Sequence, residues 1–583
     1  MPDLRPVVTA QKRTATTPTG GGHELLDAVA DTYIAAPASS VLTTRALAAA
    51  AVVVALWYHA ALLRHVRSNA HFSGDDIITF CSMRELRLSE FLLTPINEHF
   101  VPLHRLVAYL ANTLAPTNFE IALFILTAFH GVGVVYLHGS LRLLERLLLH
   151  EDEAKALESR ALCVTQSSWL LLGLYASHVY LSPLYGWWTA GLHRLPFIAF
   201  ALMSAFYYLR ARDRGGWQGL ALAAACMLAS LGFFVKGVLV PFYLAGLELC
   251  LWLATRTAPR RKNVLFLLGS AGMGACFLLL WRHFQPEKVV ELNLDLKVQA
   301  DFLAANALIV RDGAVGSVFT GDLFDLANQR PAERWLASAL WLGAILYTVA
   351  KRPSNALVWL VLCVLLLPNV LLVSLSKFRT GDFGVLAALV NQRYYFELYF
   401  PVVLCVAVAT LRLPRSRTST SARNSIPGRR TSGTKKVPRP DWCVHRVCGA
   451  LAPSGAPQTR NAPVGRGTSA PRSWLTATAA SMLLVLVASN AYSSSRQLID
   501  NAQSKRFIER LQTDAARAGA EVGFPIPIVE SRVPPHVVAW PPKWSKASVV
   551  LPALGVDVVV AREGAPAYQL LSTGELSRAP SSR

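Results

Sequence analysis

Long apolar runs recur along the chain and are separated by short polar or mixed segments. About 20 apolar residues in helical conformation are enough to cross the hydrocarbon core of a bilayer. Runs of this kind occupy residues 45–63, 119–140, 162–182, 191–209, 217–235, 237–254, 264–281, 334–350, 355–375, 394–412 and 474–491. The pattern predicts an all-α polytopic membrane protein with about eleven transmembrane helices.

The polar segment after the first run predicts a different kind of helix. In the stretch HFSGDDIITF (71–80), Ser73 and Asp76 have the spacing of a helix N-cap and its reciprocal partner. The apolar residues that follow fall roughly on one helical face. They are Ile77, Phe80, Cys81, Leu88, Phe91 and Leu92. We therefore expect an amphipathic helix on the membrane surface in the first outer loop.

The remaining segments divide the chain further. Residues 1–43 are polar and mixed, which predicts a cytoplasmic tail without a cleavable signal peptide. Residues 44–412 are predicted to form the main transmembrane domain. Residues 413–472 are rich in Arg, Ser, Thr, Pro and Gly, which predicts a disordered basic cytoplasmic insert. A last transmembrane helix at 473–491 then leads to a small α+β extracytoplasmic tail at 492–583.

Composition and charge agree with a membrane protein. The 583 residues are 53% hydrophobic and only 16% charged, which excludes an ordinary soluble protein. The net charge of +21 comes from Lys and Arg concentrated in alternate loops. By the positive-inside rule, this places the N-terminus in the cytoplasm and the C-terminus outside a plasma (inner) membrane. The charge therefore requires no nucleic-acid partner.

Cysteine spacing adds no metal site and no cofactor to the prediction. Most of the nine cysteines lie in apolar runs, where they behave as small hydrophobic residues. Cys443 and Cys448 flank His445, but no second pair of ligands follows, so no zinc site is predicted. Cys81 has no evident partner outside the cytoplasm, so no disulfide framework is predicted either.

Ionisable residues gather on the outer side of the predicted bundle. They are Asp75, Asp76, His99, His104, Arg105, His193, Arg194, Lys236, Arg393 and Tyr394. A single long cation at a helix end is ordinary, because it snorkels to water. Several such groups converging in an apolar setting indicate a functional site. The set suits transfer of a group from phosphate to a hydroxyl, with a carboxylate as general base and cations stabilising the leaving phosphate.

These motifs resemble those of integral-membrane glycosyltransferases of the GT-C class, in the protein O-mannosyltransferase and aminoarabinose-transferase-like branch. The double acid in the first outer loop is the most diagnostic motif, and the Pro-Leu step in HFVPLHR (99–105) supports it. Lys236 in VKGVLVP (235–241) is a weaker match. The family usually has an acid directly after this Lys, where the present chain has Gly237. The resemblance covers residues 44–412.

The resemblance implies a sugar donor on a polyprenyl phosphate and an extracytoplasmic acceptor hydroxyl on a glycan, lipid or protein. It assigns Asp75 as the catalytic carboxylate, with Asp76 as its neighbour. It also implies that Lys236, Arg393 and Arg105 contact the donor phosphate. The predicted enzyme is a hexosyl- or pentosyltransferase that depends on a lipid-phosphate sugar, and no cofactor is implied.

Two other classes of protein stay open. A transporter or flippase of a lipid-linked or anionic substrate would line a permeation route with the same charges. Such proteins usually show internal repeats and charges near the membrane midplane, and neither is evident here. A non-catalytic envelope scaffold would use Asp76 only as a helix cap. Replacement of Asp75 by Asn would separate an enzyme from a scaffold.

Overall fold

The structure of the chain is a computed structural model. It describes residues 38–96, 99–148, 166–178, 181–285, 293–301, 331–374, 396–397, 399–411, 502–534, 537, 545–562 and 565–580. The predicted cytoplasmic tail up to residue 37 lies outside these residues. So do the predicted basic insert 413–472 and the predicted last helix 473–491.

Helices dominate the described part of the chain. They are α1 (Ala38–Asn69), α2 (Asp75–Glu85), α3 (Leu88–Leu93), α4 (Pro102–Leu114), α5 (Phe119–Leu148), α6 (Gln166–Ala176), α7 (Leu181–Gly186), α8 (Trp188–Arg214), α9 (Trp217–Phe233), α10 (Val240–Thr255), α11 (Arg261–Phe284), α12 (Pro331–Lys351), α13 (Asn355–Ser374), α14 (Tyr399–Leu411), α15 (Ala502–Val522) and α16 (Ala547–Ala553). A 3-10 helix, Val235–Leu239, leads directly into α10. The strands are β1 (Ile526–Ile528), β2 (Val558–Val560), β3 (Tyr568–Leu570) and β4 (Leu576–Arg578).

Four stretches of the described chain are long and apolar enough to cross a membrane. They are α5, α8, α11 and the continuous stretch Val235–Thr255, and each overlaps a predicted run. Four shorter apolar stretches of 10–17 residues are Trp217–Phe233, Leu342–Lys351, Asn355–Asn369 and Phe400–Leu411. These helices agree with a membrane protein. The predicted total of about eleven spans is not confirmed by the described residues.

Helix α8 lies at the centre of the bundle. Its most apolar segment is 78% buried inside the protein, against 11% for the corresponding segment of α11. It packs along α5 and α9. A glycine allows close approach on one side, since a Cβ added at Gly139 of α5 would lie 2.8 Å from the Phe206 ring of α8. Helix α8 is therefore held in place by the surrounding helices.

The C-terminal part folds as a small α+β unit, as predicted. Its four strands have the order β2-β1-β3-β4. Strand β1 is parallel to both β2 and β3, whereas β4 is antiparallel to β3. Ile526 and Ile528 of β1 are fully buried, and α15 packs against β1 and β4. The apolar face of the sheet is thus covered by a helix of the same unit.

The C-terminal unit lies against the segment that begins α2. The Gly74 N–H donates a hydrogen bond to the Val537 carbonyl (2.9 Å). Nη1 of Arg84 donates to the Pro552 carbonyl (2.8 Å), and α16 packs along α2. The helix that carries the two acids is therefore enclosed between the bundle and the C-terminal unit.

The single amphipathic helix predicted in this region is wrong, because the structure has two helices. Helix α2 ends at Glu85, and the backbone of Leu86 is extended. The Arg87 N–H then donates a hydrogen bond to Oε2 of Glu90 (3.2 Å) at the start of α3. Of the apolar residues predicted on one face, Ile77 and Phe91 are fully buried on either side of the break. Leu88, predicted on the buried face, is 44% exposed.

Candidate active site

All the predicted site residues except Arg393 and Tyr394 lie within the described chain. Helix α2 carries Asp75 and Asp76, the segment before α4 carries His99, and α4 carries His104 and Arg105; α8 carries His193 and Arg194, and the 3-10 helix carries Lys236. Arg393 and Tyr394 lie outside the described residues. The residues that are described meet at the end of the bundle where α8 begins.

Asp76 is fully buried and caps another helix. Its Oδ1 accepts hydrogen bonds from the backbone N–H of Thr189 (2.7 Å) and from the Thr189 hydroxyl (2.5 Å). Thr189 is the second residue of α8, so the carboxylate satisfies an N–H that has no partner within that helix. Its Oδ2 accepts from the Ser73 N–H (3.2 Å), which is one half of the predicted reciprocal cap. The N-cap residue of α2 itself is Gly74, not Ser73.

Burial raises the pKa of the Asp76 carboxyl to about 7. Removal from water is the main cause, because it disfavours the charged form. The hydrogen bonds from Thr189 and Ser73 act in the opposite direction, and the charge of Asp75 raises the pKa slightly further. The carboxyl therefore changes its charge near neutral pH. Perturbed groups of this kind are typical of functional sites.

Asp75 occupies a more open position than its neighbour. It is the first residue of α2 and is half-buried, whereas Asp76 is inaccessible to solvent. Asp76 is already committed to the start of α8 by its bonds to Thr189. Of the two acids, Asp75 is therefore the one that a substrate can reach.

Three histidine rings cluster beside the start of α8. The rings of His104 and His193 are 4.2 Å apart and 23° from parallel, and His99 lies 5.0 Å from His193. Phe234 closes the group at 5.1 Å from His99 and 5.9 Å from His193. Burial lowers the pKa of His104 well below its usual value, with Arg105 and His99 adding to the effect. The His104 ring is therefore neutral at neutral pH.

His104 links the stacked rings to the acids. The ring lies beside the Thr189 carbonyl, and the N–H and hydroxyl of Thr189 bind Asp76. Within the described residues, neither ring nitrogen of His104 makes a hydrogen bond of standard length and angle. A buried polar group of this kind normally has a partner. The Thr189 carbonyl is the polar group that lies beside this ring.

Arg105 is a buried cation in the same region. It is 3% exposed, its Nη2 donates to the Pro95 carbonyl (3.1 Å), and its guanidinium lies 4.5 Å from the Phe91 ring centre. Burial lowers the pKa of Arg105 to about 10, so the group stays charged at neutral pH. Its Nε and Nη1 have no hydrogen-bond partner in the part of the chain that the structure describes. This positive charge can bind an anion.

Lys236 belongs to a buried cluster of three charges. Its Nζ donates to Oε2 of Glu397 (2.5 Å), and Nε of Arg194 donates to Oε1 of the same carboxylate (2.9 Å). All three side chains are at most 8% exposed. Two cations share one carboxylate, so the cluster carries a net positive charge. Glu397 supplies the carboxylate that is missing after Lys236 in the sequence, from 161 residues further along the chain.

The backbone around Gly237 leaves no room for a side chain at the position directly after Lys236. A Cβ at this position would lie 2.8 Å from the backbone nitrogen of Leu231 and 2.9 Å from its Cα. Backbone atoms cannot move aside as the end of a side chain can, so the tight turn excludes any side chain here. An acid directly after Lys236 is incompatible with this local geometry.

These groups form one connected assembly at the start of α8. Asp76 contacts Thr189, and Thr189 contacts His104, the first of the stacked rings. The stack ends on Phe234, whose ring centre lies 5.3 Å from Cζ of Arg194 and 5.7 Å from Nζ of Lys236. Carboxylates at one side and buried cations at the other suit a reaction that takes a proton at one atom and develops negative charge at another.

Sequence analysis missed Thr189 and Phe234, and it did not include Glu397 among the site residues. Thr189 is four residues before His193 in GWWTAGLHRLPF (186–197), so helical periodicity could have placed both on one face. Phe234 and Glu397 carry no such signal. Their contacts depend on how distant helices pack.

The chain matches no family model and no curated protein. The geometry described above is therefore the basis for a functional assignment. Among the described residues, no three His, Cys, Asp or Glu side chains are grouped so that they could hold a metal ion.

Proposed function

We propose that the chain is an integral-membrane glycosyltransferase of the GT-C type. It transfers a sugar from a polyprenyl-phosphate donor to a hydroxyl group of an extracytoplasmic acceptor in the cell envelope. The connected assembly at the start of α8 carries this proposal, since it combines an accessible carboxylate with buried cations. The double acid and the Pro-Leu step in the sequence agree with it.

Asp75 is the general base in the proposed reaction. The acceptor hydroxyl is a poor nucleophile at neutral pH and needs a positioned carboxylate to remove its proton. As the proton passes to Asp75, the hydroxyl oxygen forms a bond to the anomeric carbon of the sugar. The bond between that carbon and the phosphate oxygen breaks, and its electron pair leaves with the polyprenyl phosphate. A direct displacement of this kind inverts the anomeric configuration.

The cations stabilise the leaving phosphate. Nε and Nη1 of Arg105 have no hydrogen-bond partner among the described residues. The cluster of Lys236, Arg194 and Glu397 has a net positive charge. In a site that excludes water, such charges stabilise developing negative charge more strongly than they would in solution. Glu397 holds the two cations together before the donor arrives. Arg393 is the further phosphate contact that the family resemblance implies.

Asp76 is a positioning residue in this scheme. Its bonds to Thr189 join the start of α2 to the start of α8, so the acid side and the cation side of the site keep a fixed separation. Asp76 therefore acts through Thr189 and His104, and not on the substrate.

The proposal is tested by replacing the general base. Purified protein in lipid is supplied with radiolabelled polyprenyl-phosphate sugars and a mixed envelope extract as acceptor. We expect Asp75→Asn to lower the transfer rate by about 10²- to 10⁴-fold while the protein remains folded. Glu85→Gln is the matched control, because it removes an exposed carboxylate from the other end of the same helix. A rate for Asp75→Asn within twofold of the parent rate would overturn the assignment.

A further inference from the structure

The end of α8 opposite the candidate active site carries a second concentration of charge. Helix α8 has 27 residues, so its two ends lie about 40 Å apart, a distance that spans a bilayer. A cavity of about 220 Å³ opens between the end of α8 and the start of α9. Arg210 and Arg214 line it, together with Gly215 and Gly216 in the turn between the helices.

Two further cations reach this turn from the start of α11. Gly215 has a positive φ of 83°, and a Cβ built on it would lie 2.2 Å from Nη1 of Arg260 and 3.5 Å from Nζ of Lys262. The absence of a side chain at Gly215 therefore leaves room for both cationic groups. The backbone that begins α9 adds to the positive potential, since N-cap residue Gly216 provides no side-chain cap for the first N–H groups.

The acids nearest to this cavity are already engaged by other cations. Asp213 forms an ion pair with Arg146 at 2.9 Å. Glu248 accepts hydrogen bonds from Arg212 and from the Tyr208 hydroxyl. Within the described ranges, no carboxylate lies in ion-pair distance of Arg210, Arg214, Arg260 or Lys262. Four positive charges thus surround one turn without a counter-charge from the described chain.

The surroundings of the cavity are amphipathic. Trp217, the first residue of α9, is 63% exposed at the level of the cations, as is typical of tryptophans at a membrane interface. Leu222, which lines the cavity more than one turn deeper along α9, is 47% exposed. A cationic rim above an apolar wall matches a molecule with an anionic head and a hydrocarbon tail.

We propose that this cavity, lined by Arg210, Arg214 and the Gly215–Gly216 turn and flanked at Gly215 by Arg260 and Lys262, binds the phosphate of an anionic phospholipid headgroup. The four cations and the start of α9 hold the phosphate, and an acyl chain follows α9 past Leu222. Basic pockets between transmembrane helices recognise anionic lipids by this combination of contacts. The site is separate from the candidate active site, and it does not depend on the proposed transferase activity.

The test uses the full chain in detergent, with bound lipid counted by native mass spectrometry. The probes are phosphatidylglycerol, phosphatidylcholine with the same acyl chains, and inorganic phosphate. We expect one phosphatidylglycerol per protein, bound at least about tenfold more tightly than phosphatidylcholine. The double variant Arg210→Gln, Arg214→Gln should lose this preference and keep its melting temperature.

The matched control is Arg142→Gln, Lys351→Gln. It removes two exposed cations, one from the C-terminal half of α5 and one from the last turn of α12, and neither lines the cavity. The control should keep the preference for phosphatidylglycerol. Three results would overturn the proposal: a preference retained by the Arg210, Arg214 double variant, an equal loss in the control, or binding of inorganic phosphate with no binding of the lipid.

Discussion

Residues 75 and 76 place two carboxylates side by side in the chain but in different surroundings. Successive residues of a helix point about 100° apart, so they do not share a neighbour. Asp76 points into the protein, where Thr189 binds it, and Asp75 stays half-buried at the edge of the site. The same helical geometry that caps α8 with one acid leaves the other partly exposed to solvent.

The raised pKa of Asp76 predicts how stability depends on pH. An isolated aspartate has a pKa of 3.8, whereas burial raises that of Asp76 to about 7. Between these values the folded protein keeps a proton that the unfolded chain releases, so stability falls as pH rises through this range. We expect the melting temperature of the parent to fall by several degrees relative to that of Asp76→Asn between pH 4 and about pH 7. If the melting temperatures of the parent and of Asp76→Asn changed equally with pH, the assigned burial of Asp76 would be contradicted.

The cluster around Glu397 predicts unequal costs for its members. Glu397→Gln removes the carboxylate that Lys236 and Arg194 share in a buried setting, and breaking a buried ion pair typically costs about 3–5 kcal/mol. Lys236→Met leaves a neutral Arg194–Glu397 pair, so its loss of stability should be smaller. Melting curves in detergent measure this difference. We expect the parent to have the highest melting temperature, Lys236→Met a lower one and Glu397→Gln the lowest. If Lys236→Met were less stable than Glu397→Gln, the two cations would not share the Glu397 carboxylate in this way.

At the scale of elements, the contact between α2 and α16 ties the C-terminal unit to the helix that carries the acids. Cys81 of α2 reports on this contact, since its Sγ lies 3.7 Å from the Val549 carbonyl and its side chain is 1% exposed. Burial raises the pKa of the Cys81 thiol to about 12, with Glu85 adding to the effect. Very little reactive thiolate is therefore present at neutral pH.

Labelling of Cys81 measures whether the C-terminal unit stays in place. In a chain with Cys81 as the single cysteine, we expect slow reaction with a water-soluble maleimide at pH 7.5. Leu551→Asp places a charge in the buried face of α16 and should raise the labelling rate by about tenfold or more. Glu509→Gln, on the exposed face of α15, is the control and should leave the rate unchanged. Fast labelling of the parent would contradict the enclosed position of α2.

Hydropathy predicted the existence of the long helices but not their positions in the bundle. Both α8 and α11 are apolar, yet α8 is central and α11 is largely exposed at the periphery. Composition cannot separate the two cases, because lipid and protein interior are both apolar solvents for a helix. The break between α2 and α3 was missed because the face pattern did not include the Glu90 carboxylate, which accepts a hydrogen bond from the Arg87 N–H at the start of α3.

At the scale of the molecule, the sequence predicted which groups gather in the site but not how they are paired. Helix ends bring Asp75, His104, His193 and Lys236 to one side, and this could be deduced from the order of apolar runs. The pairing of Lys236 with Glu397 joins segments 161 residues apart. Neither this contact nor the packing of α16 on α2 can be predicted from the spacing of residues in the sequence.

The arrangement of charge favours an enzyme over a transporter. The candidate site lies at the start of α8, and the second group of cations lies at its far end. A transporter would be expected to hold its substrate near the midplane, between interrupted helices. We therefore expect the sugar to be transferred covalently to the acceptor, and not only to be moved across the membrane.

The most direct test follows the fate of the sugar in proteoliposomes. The purified full-length protein is supplied with polyprenyl-phosphate sugar that is radiolabelled in the sugar, together with an envelope acceptor. We expect the label to appear in the acceptor while free polyprenyl phosphate accumulates, and we expect Asp75→Asn to abolish both changes. Label that crosses the bilayer still attached to polyprenyl phosphate, or a folded protein that consumes no donor, would contradict it.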